Sequence, residues 1–265
     1  MDMCGWYYKC KNIDKLYPNT NSIWTHFGTL THKCIQQVLI GEWTPEYSAK
    51  YFIRVWNRFC HMFKKQLLKN LEDGEYKLPK KVSNPRDMYR NVVRAIMQVE
   101  DILEEEFGPY KVLWIETRLE EKTKYPQVFT GYIDVGLQLV NKNIVIIDIK
   151  TPSSHYSFKH YADKYTDYQL TLYKSYYCEK YDIDPKTAET YFLTVAKDPS
   201  VKKPIELIRV TSGSRKITNA RAWLNEGLDR IQIDNFQKKR TACNKFFGKD
   251  CPFYRTVYCS SQKLF

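Results

Sequence analysis

Hydrophobic positions along the 265-residue chain follow two periods, and the switch between them divides it. From residue 45 to 107 apolar side chains recur at three- and four-residue steps. Phe52, Val55, Trp56, Phe59, Phe63 and Leu67 form one stripe, and Met88, Val92, Ile96, Val99 and Leu103 form a second. That spacing puts each set on one helix face, so two core-facing helices are expected around a polar break from Leu71 to Pro85. An earlier helix is predicted within Phe27 to Trp43, with Phe27, Leu30, Cys34 and Val38 on its apolar face and His32 off it. The first residues, CGWYYKCKNIDKLY, read as an aromatic-rich helix. From Val112 to Glu120 the pattern becomes strand-like. Thr130 to Lys150 then reads as two strands, with Ile133, Val135, Leu137 and Leu139 alternating in one and Val145, Ile147 and Ile149 in the other. Thr151-Pro152-Ser153-Ser154 breaks the second strand. A helix from about Lys159 to Tyr181 follows, with Leu172 and Tyr176 facing the core. Strands at Thr190–Val195 and Ile205–Val210 flank a polar loop, Ala196 to Pro204, and a helix from about Arg215 to Ile231 comes next. This order implies an α/β fold: a central sheet flanked by helices, with a helical insertion at 45–107.

The predicted hairpin carries the candidate chemistry. A three-residue turn, Asn141-Lys142-Asn143, pairs Val140 with Ile144. In that register Asp134 lies opposite Lys150 and diagonal to Asp148, about 7–8 Å away, a gap that one bound cation bridges. Gly136 then faces Asp148 and leaves the site open. Carboxylate oxygens suit a hard divalent cation such as Mg²⁺. Such an ion acidifies a bound water and stabilises charge on a phosphate, while a lysine beside it orients the water or neutralises the phosphate. A salt-bridged, solvated hairpin end carries the same three residues, because Asp-x-Lys is a short motif. Glu116, on the preceding strand, offers a third carboxylate for the metal shell or an ordinary salt-bridge partner. Gln169 and Tyr173 stand at i and i+4 on one helix face, where the glutamine reaches a phosphate oxygen or an attacking water.

Charge narrows the partner. With 42 basic against 30 acidic residues the net charge is +12, and aromatics make up 15% of the chain, including 21 tyrosines. This balance favours a polyanion such as nucleic acid. Lys64, Lys65, Arg86, Arg90 and Arg94 are candidates to line a groove for it, or to form a solvated face. No apolar run approaches the roughly 18 residues of a membrane span, and there is no signal-peptide-like segment, so a cytosolic protein without a membrane partner is expected. Eight cysteines in that compartment point to free thiols or metal ligation rather than disulfides. Cys34, Cys60 and Cys178 read as buried, unligated thiols.

Four segments in this order resemble the PD-(D/E)XK nuclease superfamily, and within it the RecB-like exonucleases, a branch that includes phage exonucleases and CRISPR-associated adaptation nucleases. They are Gly28-Thr29-Leu30-Thr31-His32, Gly131-Tyr132-Ile133-Asp134, Asp148-Ile149-Lys150-Thr151 and Gln169-Leu170-Thr171-Leu172-Tyr173. The resemblance covers the chain from Cys4 to Cys259. It implies a restriction-endonuclease-like core with a mixed sheet, in one domain spanning 1–265. It implies Mg²⁺ or Mn²⁺ held by His32, Asp134, Asp148 and the Ile149 carbonyl, with Lys150 positioning the water and Gln169 and Tyr173 contacting water or DNA. Glu116 matches an acidic residue that some members carry. Many members also hold a [4Fe-4S] cluster on one N-terminal and three C-terminal cysteines. Cys4, Cys243, Cys251 and Cys259 match those places, as a staple over 243–259, with Cys10 a rival to Cys4 and Zn²⁺ a rival to iron. The departures are the seven-residue gaps between the last three cysteines, wider than usual, and Gly5 where the family has proline. The implied activity is a metal-dependent DNA exonuclease acting on linear DNA in recombination, repair or phage DNA metabolism. A recombinase, helicase or single-strand-binding protein is the implied partner. The alternatives are a non-catalytic DNA-end-binding module and an endonuclease of the same fold.

Overall fold

The structure, a computed structural model, describes residues 4–16, 23–65, 85–161, 164–238, 251, 253 and 256–259. Leu67 at the end of the first predicted stripe, the predicted polar break up to residue 84, and Cys243 lie outside the described residues. Two compact units make up the chain: Ile23–Ala220, and the two ends together, Met1–Ser22 with Arg221–Phe265. In the unit of the ends, α1 (Gly5–Tyr8) continues into a wider helical turn, Lys9–Ile13.

The larger unit holds α2 (Ile23–Leu39), α3 (Pro45–Met62) and α4 (Tyr89–Phe107) against one face of a sheet. Thr44 caps α3 by accepting the Tyr47 N–H at 3.2 Å, and Pro45 opens the helix where no N–H is needed. Gly108, with φ of 68°, ends α4 and donates its N–H to Glu104. Phe52 and Trp56 from one predicted stripe, and Val92, Ile96 and Val99 from the other, meet Val135, Val145 and Ile147 of the sheet in a single core. The helices expected as an insertion therefore supply much of the main core.

Five strands form the sheet in chain order: β1 (Tyr110–Lys122), β2 (Val128–Leu139), β3 (Ile144–Lys150), β4 (Ala188–Val195) and β5 (Ile205–Arg209). Only β3 and β4 run parallel, so the sheet is mixed. The helix predicted from Lys159 to Tyr181 is two, α5 (His155–Tyr161) and α6 (Lys164–Lys180). It begins earlier than expected because Ser154 is a cap rather than a breaker: Ser154 and Ser157 each accept the other's backbone N–H at 3.1 Å. The last described helix, α7 (Ser214–Gln232), lies where the periodicity puts it.

The hairpin register differs from the expectation. Gln138 pairs with Ile144 and Val135 with Ile147, while Leu139 N donates to Asn143 O. The three loop residues are therefore Val140, Asn141 and Lys142, one place earlier than predicted. The third position of such a loop favours the left-handed region, and Lys142 occupies it with φ of 69°. Continued, this register sets Asp134 opposite Asp148 rather than Lys150.

Strand alternation also breaks at the site. Phe129 stacks on Tyr176 of α6, and a Cβ on Gly131 would meet the Tyr173 ring, so these odd-numbered positions face α6. Further along, Val135 and Leu137 face the α2–α4 core, and it is Gly136 that lies under Trp114, itself packed on Tyr177 of α6. The face has switched between Gly131 and Val135. On β1 the residue opposite Asp134 is Glu116, whose φ of 45° puts a non-glycine in the left-handed region. Gly136 makes room for an indole and does not open the site toward Asp148.

Candidate active site

Asp134 stands where the ladder between β2 and β3 gives way. Its Oδ2 accepts the Ile149 N–H at 2.7 Å, so the side chain takes the place of a main-chain partner. The displaced Asp134 carbonyl is met from α2, where Gln36 Nε2 donates to it at 3.1 Å. One helical turn earlier His32 Nδ1 lies 3.5 Å from Asp134 Oδ1. Gln36 is 2% exposed and went unnoticed in the sequence. Its signal is a polar residue four places after His32, hence on the same helix side.

Asp148 and Lys150 share one face of β3, as alternation requires. Lys150 Nζ lies 2.7 Å from the buried Asp148 Oδ2, a charge-assisted contact, and no other group among the described residues bonds that oxygen. Burial pushes the Asp148 carboxyl up and Asp134 adds to the rise, while Lys150 and His32 oppose it without cancelling it. Burial pulls the Lys150 ammonium down, but the Asp148 and Asp134 carboxylates outweigh it and hold it above the ordinary lysine value.

Gln169 and Tyr173 reach the site from α6. Gln169 Nε2 donates to the Tyr173 hydroxyl at 2.8 Å. Burial raises the Tyr173 hydroxyl, against the Gln169 bond, and the Asp148 charge adds to the rise. Gly131 admits this ring: a Cβ there would stand 2.3 Å from Tyr173 Cε1. Gly28 lies beside Thr151, where a Cβ would meet Oγ1 at 3.4 Å. The four sequence segments thus touch in pairs.

Glu116 is exposed, and its carboxylate makes no ion pair among the described residues. Of the expected groove, Arg94 instead bonds the Val201 and Lys202 carbonyls and Asn91, while Arg90 pairs with Asp87. A different basic face is built by α3. Lys33 lies 5.6 Å over Trp43 and 5.3 Å over Tyr51, and Arg54 5.6 Å from Tyr51. Lys50 and Arg58 flank them on the same exposed side of the helix.

Among the described residues no three His, Cys, Asp or Glu side chains stand close enough to share one metal ion. The hairpin nevertheless fits a hard cation. It presents a buried carboxylate whose charge the adjoining lysine does not fully offset, with a second carboxylate and an imidazole close by. The cysteines fit a metal less well. In the unit of the ends, Cys10, Cys251 and Cys259 pack with Phe253 in one buried cluster, whereas Cys4 Sγ lies 3.8 Å from the Gln237 carbonyl. Cys10, the expected rival of Cys4, lies in that cluster. Burial raises its thiol, with Asp14, Cys259 and Cys251 adding to the rise and Lys9 opposing it. Cys34, Cys60 and Cys178 are buried, each pushed up to about 11 by burial, which suits inert core thiols.

A family model described as the PD-(D/E)XK nuclease superfamily matches residues 2–256. The chain belongs to that superfamily. Among solved structures, a protein of Eubacterium rectale, provisionally named an exonuclease, is similar at 12% identity and a TM-score of 0.49 over 91% of this chain and 79% of that one. Another, designated SSO0001, shares 13% identity at a TM-score of 0.33, over 58% of this chain and 65% of that one. No protein of the curated set matches. As a PD-(D/E)XK nuclease the chain is a hydrolase by family, with an α/β core whose mixed sheet is flanked by helices. None of its described helices is long and apolar enough to cross a membrane.

Proposed function

We propose that this nuclease is a divalent-metal-dependent exonuclease that hydrolyses phosphodiester bonds of DNA from free ends. The observation that supports it most is the buried Asp148 carboxyl, raised by burial and by the nearby Asp134 charge, with Lys150 Nζ at 2.7 Å. Asp148, Asp134, His32 and the Ile149 carbonyl would hold Mg²⁺ or Mn²⁺. That ion supplies charge stabilisation for the scissile phosphate and acidifies water.

Lys150 orients the attacking water and neutralises a non-bridging phosphate oxygen. Its raised pKa keeps it charged at neutral pH, so it acts as a fixed cation rather than as a base. Asp134 aligns the end of β3 through the Ile149 N–H while keeping Oδ1 toward His32. The Gln169–Tyr173 pair offers an amide and a hydroxyl to the phosphate side of the site. The rings and cations around Trp43, Tyr47 and Tyr51 suit unpaired bases, which stack on aromatic planes while cations follow the phosphates.

The test is digestion of end-labelled linear DNA, single- and double-stranded, beside closed circles. Wild type, Lys150→Ala and Asp134→Asn are each given Mg²⁺, Mn²⁺ or EDTA. Metal-dependent loss of end label by wild type alone, with circles intact, is expected. Cut circles would make it an endonuclease. DNA binding with no cleavage in any metal would make it a DNA-end-binding module.

A further inference from the structure

Lys197 is a charged group that the site described above does not use. It lies two residues past the end of β4, at the carboxyl end of the parallel β3–β4 pair. Its N–H donates to the Pro152 carbonyl at 2.9 Å, two residues beyond Lys150, and Asp198 N donates to Ser153 O at 3.1 Å. Ligands of α/β sheets gather at this edge. The Lys197 ammonium lies 4.9 Å from the ring centre of Trp24, in the first turn of α2, the helix that carries His32.

No carboxylate serves this lysine. Among the described residues it makes no ion pair, and the neighbouring Asp198 carboxylate is taken by the N–H and hydroxyl of Ser200. Burial alone lowers its ammonium, to about 8. A half-buried cation without an acid is costly to the fold and is seldom kept without a partner.

The loop that holds Lys197 is built with care. Buried Asn91 donates to the Asp198 carbonyl at 2.6 Å. Arg94 reaches the Val201 and Lys202 carbonyls. Buried His155 faces the Lys203 carbonyl through Nε2 at 2.9 Å and Thr194 through Nδ1 at 2.7 Å. Three polar side chains from α4 and α5 therefore fix the loop that seats this lysine against one indole. Trp24 precedes His32 by eight residues, about 12 Å along a helix, which is about three or four nucleotides of a strand.

From this we infer that Lys197, seated on Trp24, binds a backbone phosphate of the bound DNA strand a few nucleotides from the scissile one. This rests on the nuclease reading. Trp24 supplies a flat surface that aligns the ammonium, and the absent carboxylate leaves its hydrogens for the phosphate.

The test uses the full chain, with Lys197→Met and Lys197→Arg beside wild type. Binding of a fluorescein-labelled single-stranded oligonucleotide is followed by anisotropy in EDTA over a salt series. Steady-state cleavage with Mn²⁺ and urea denaturation are run in parallel. Lys197→Met is expected to weaken binding about tenfold, as for one charge-assisted contact. It should also lower the slope of log K against log salt by about 0.7. KM should rise with it and kcat stay within about threefold, with Lys197→Arg restoring most of the loss and stability not reduced. Unchanged binding and salt slope in Lys197→Met overturns the inference, as does reduced stability with normal binding, the mark of a structural clamp. Failure of wild type itself to bind or cleave overturns the nuclease reading instead.

Discussion

The Asp134 carboxylate accepts the Ile149 N–H at 2.7 Å, where a neighbouring strand would normally offer a carbonyl. In the proposed site this one side chain would serve structure and chemistry together. Asp134→Asn keeps an oxygen for that bond and loses the charge. It is expected to fold with near-normal stability and to cleave nothing. Asp134→Ala strands a largely buried N–H and should cost about 1–3 kcal/mol as well. Urea denaturation of the two variants, beside the digestion assay, separates the roles. Equal stability of both would deny the structural one.

Gly131 and Tyr173 belong to different sequence segments and meet at the site. A methyl on Gly131 would overlap the ring, so Gly131→Ala is expected to destabilise by about 1–3 kcal/mol and to dislodge the Gln169–Tyr173 pair. In Tyr173→Ala that clash vanishes. The double variant should therefore lose less than the sum of the two singles, and a double-mutant cycle in denaturant reads the coupling.

Lys197 has its pKa lowered from 10.5 to about 8 by burial. Below pH 8 the folded state carries a buried charge that the unfolded chain solvates freely. Between about 8 and 10.5 the unfolded state binds more protons, so the stability of wild type rises with pH across that window. Lys197→Met is expected to be the more stable protein at pH 7, by up to about 3 kcal/mol. That advantage should shrink by pH 10. Denaturation at the two pH values checks the sign. A constant difference would mean that the lysine is not buried as a cation.

The face of Lys33, Trp43, Tyr51 and Arg54 should separate stacking from charge. Tyr51→Leu is expected to weaken single-strand binding by about 1–3 kcal/mol at every salt concentration, as a lost base stack does. Arg54→Ala should act mainly at low salt, where phosphate contacts dominate. Anisotropy titrations at several salt concentrations compare them, and identical salt slopes would remove Arg54 from the phosphate path.

Cys10 is 1% exposed among Cys251, Phe253 and Cys259, while Cys4 lies beside Gln237. A hydroxyl in that apolar cluster is poorly solvated. Cys10→Ser is therefore expected to cost about 1–3 kcal/mol, and Cys4→Ser less. Iron, sulfide and zinc assays on anaerobically purified protein run beside the denaturation. Stoichiometric metal lost from Cys4→Ser but kept in Cys10→Ser would make Cys4 the ligand, and the reverse would make it Cys10.

Much of the chain could be read directly because local rules govern it. The stripe from Met88 to Leu103 is buried throughout, since helical period alone decides which face turns inward. Asp148 and Lys150 share a face because strand side chains alternate. The segment order, with the superfamily it resembles, was legible for the same reason: these are properties of residue type and spacing. The tertiary structure decided what depends on partners distant in sequence. The hairpin register turned on Lys142 accepting a left-handed conformation, which moved Asp134 from Lys150 to Asp148. Alternation through Asp134 failed because Glu116, on another strand, bends the pair and switches its faces. Gln36 and Lys197 gained their meaning from contacts spanning 98 residues in one case and from the Trp24 indole in the other. Spacing specifies a direction along one element, and only packing specifies which groups then lie within reach.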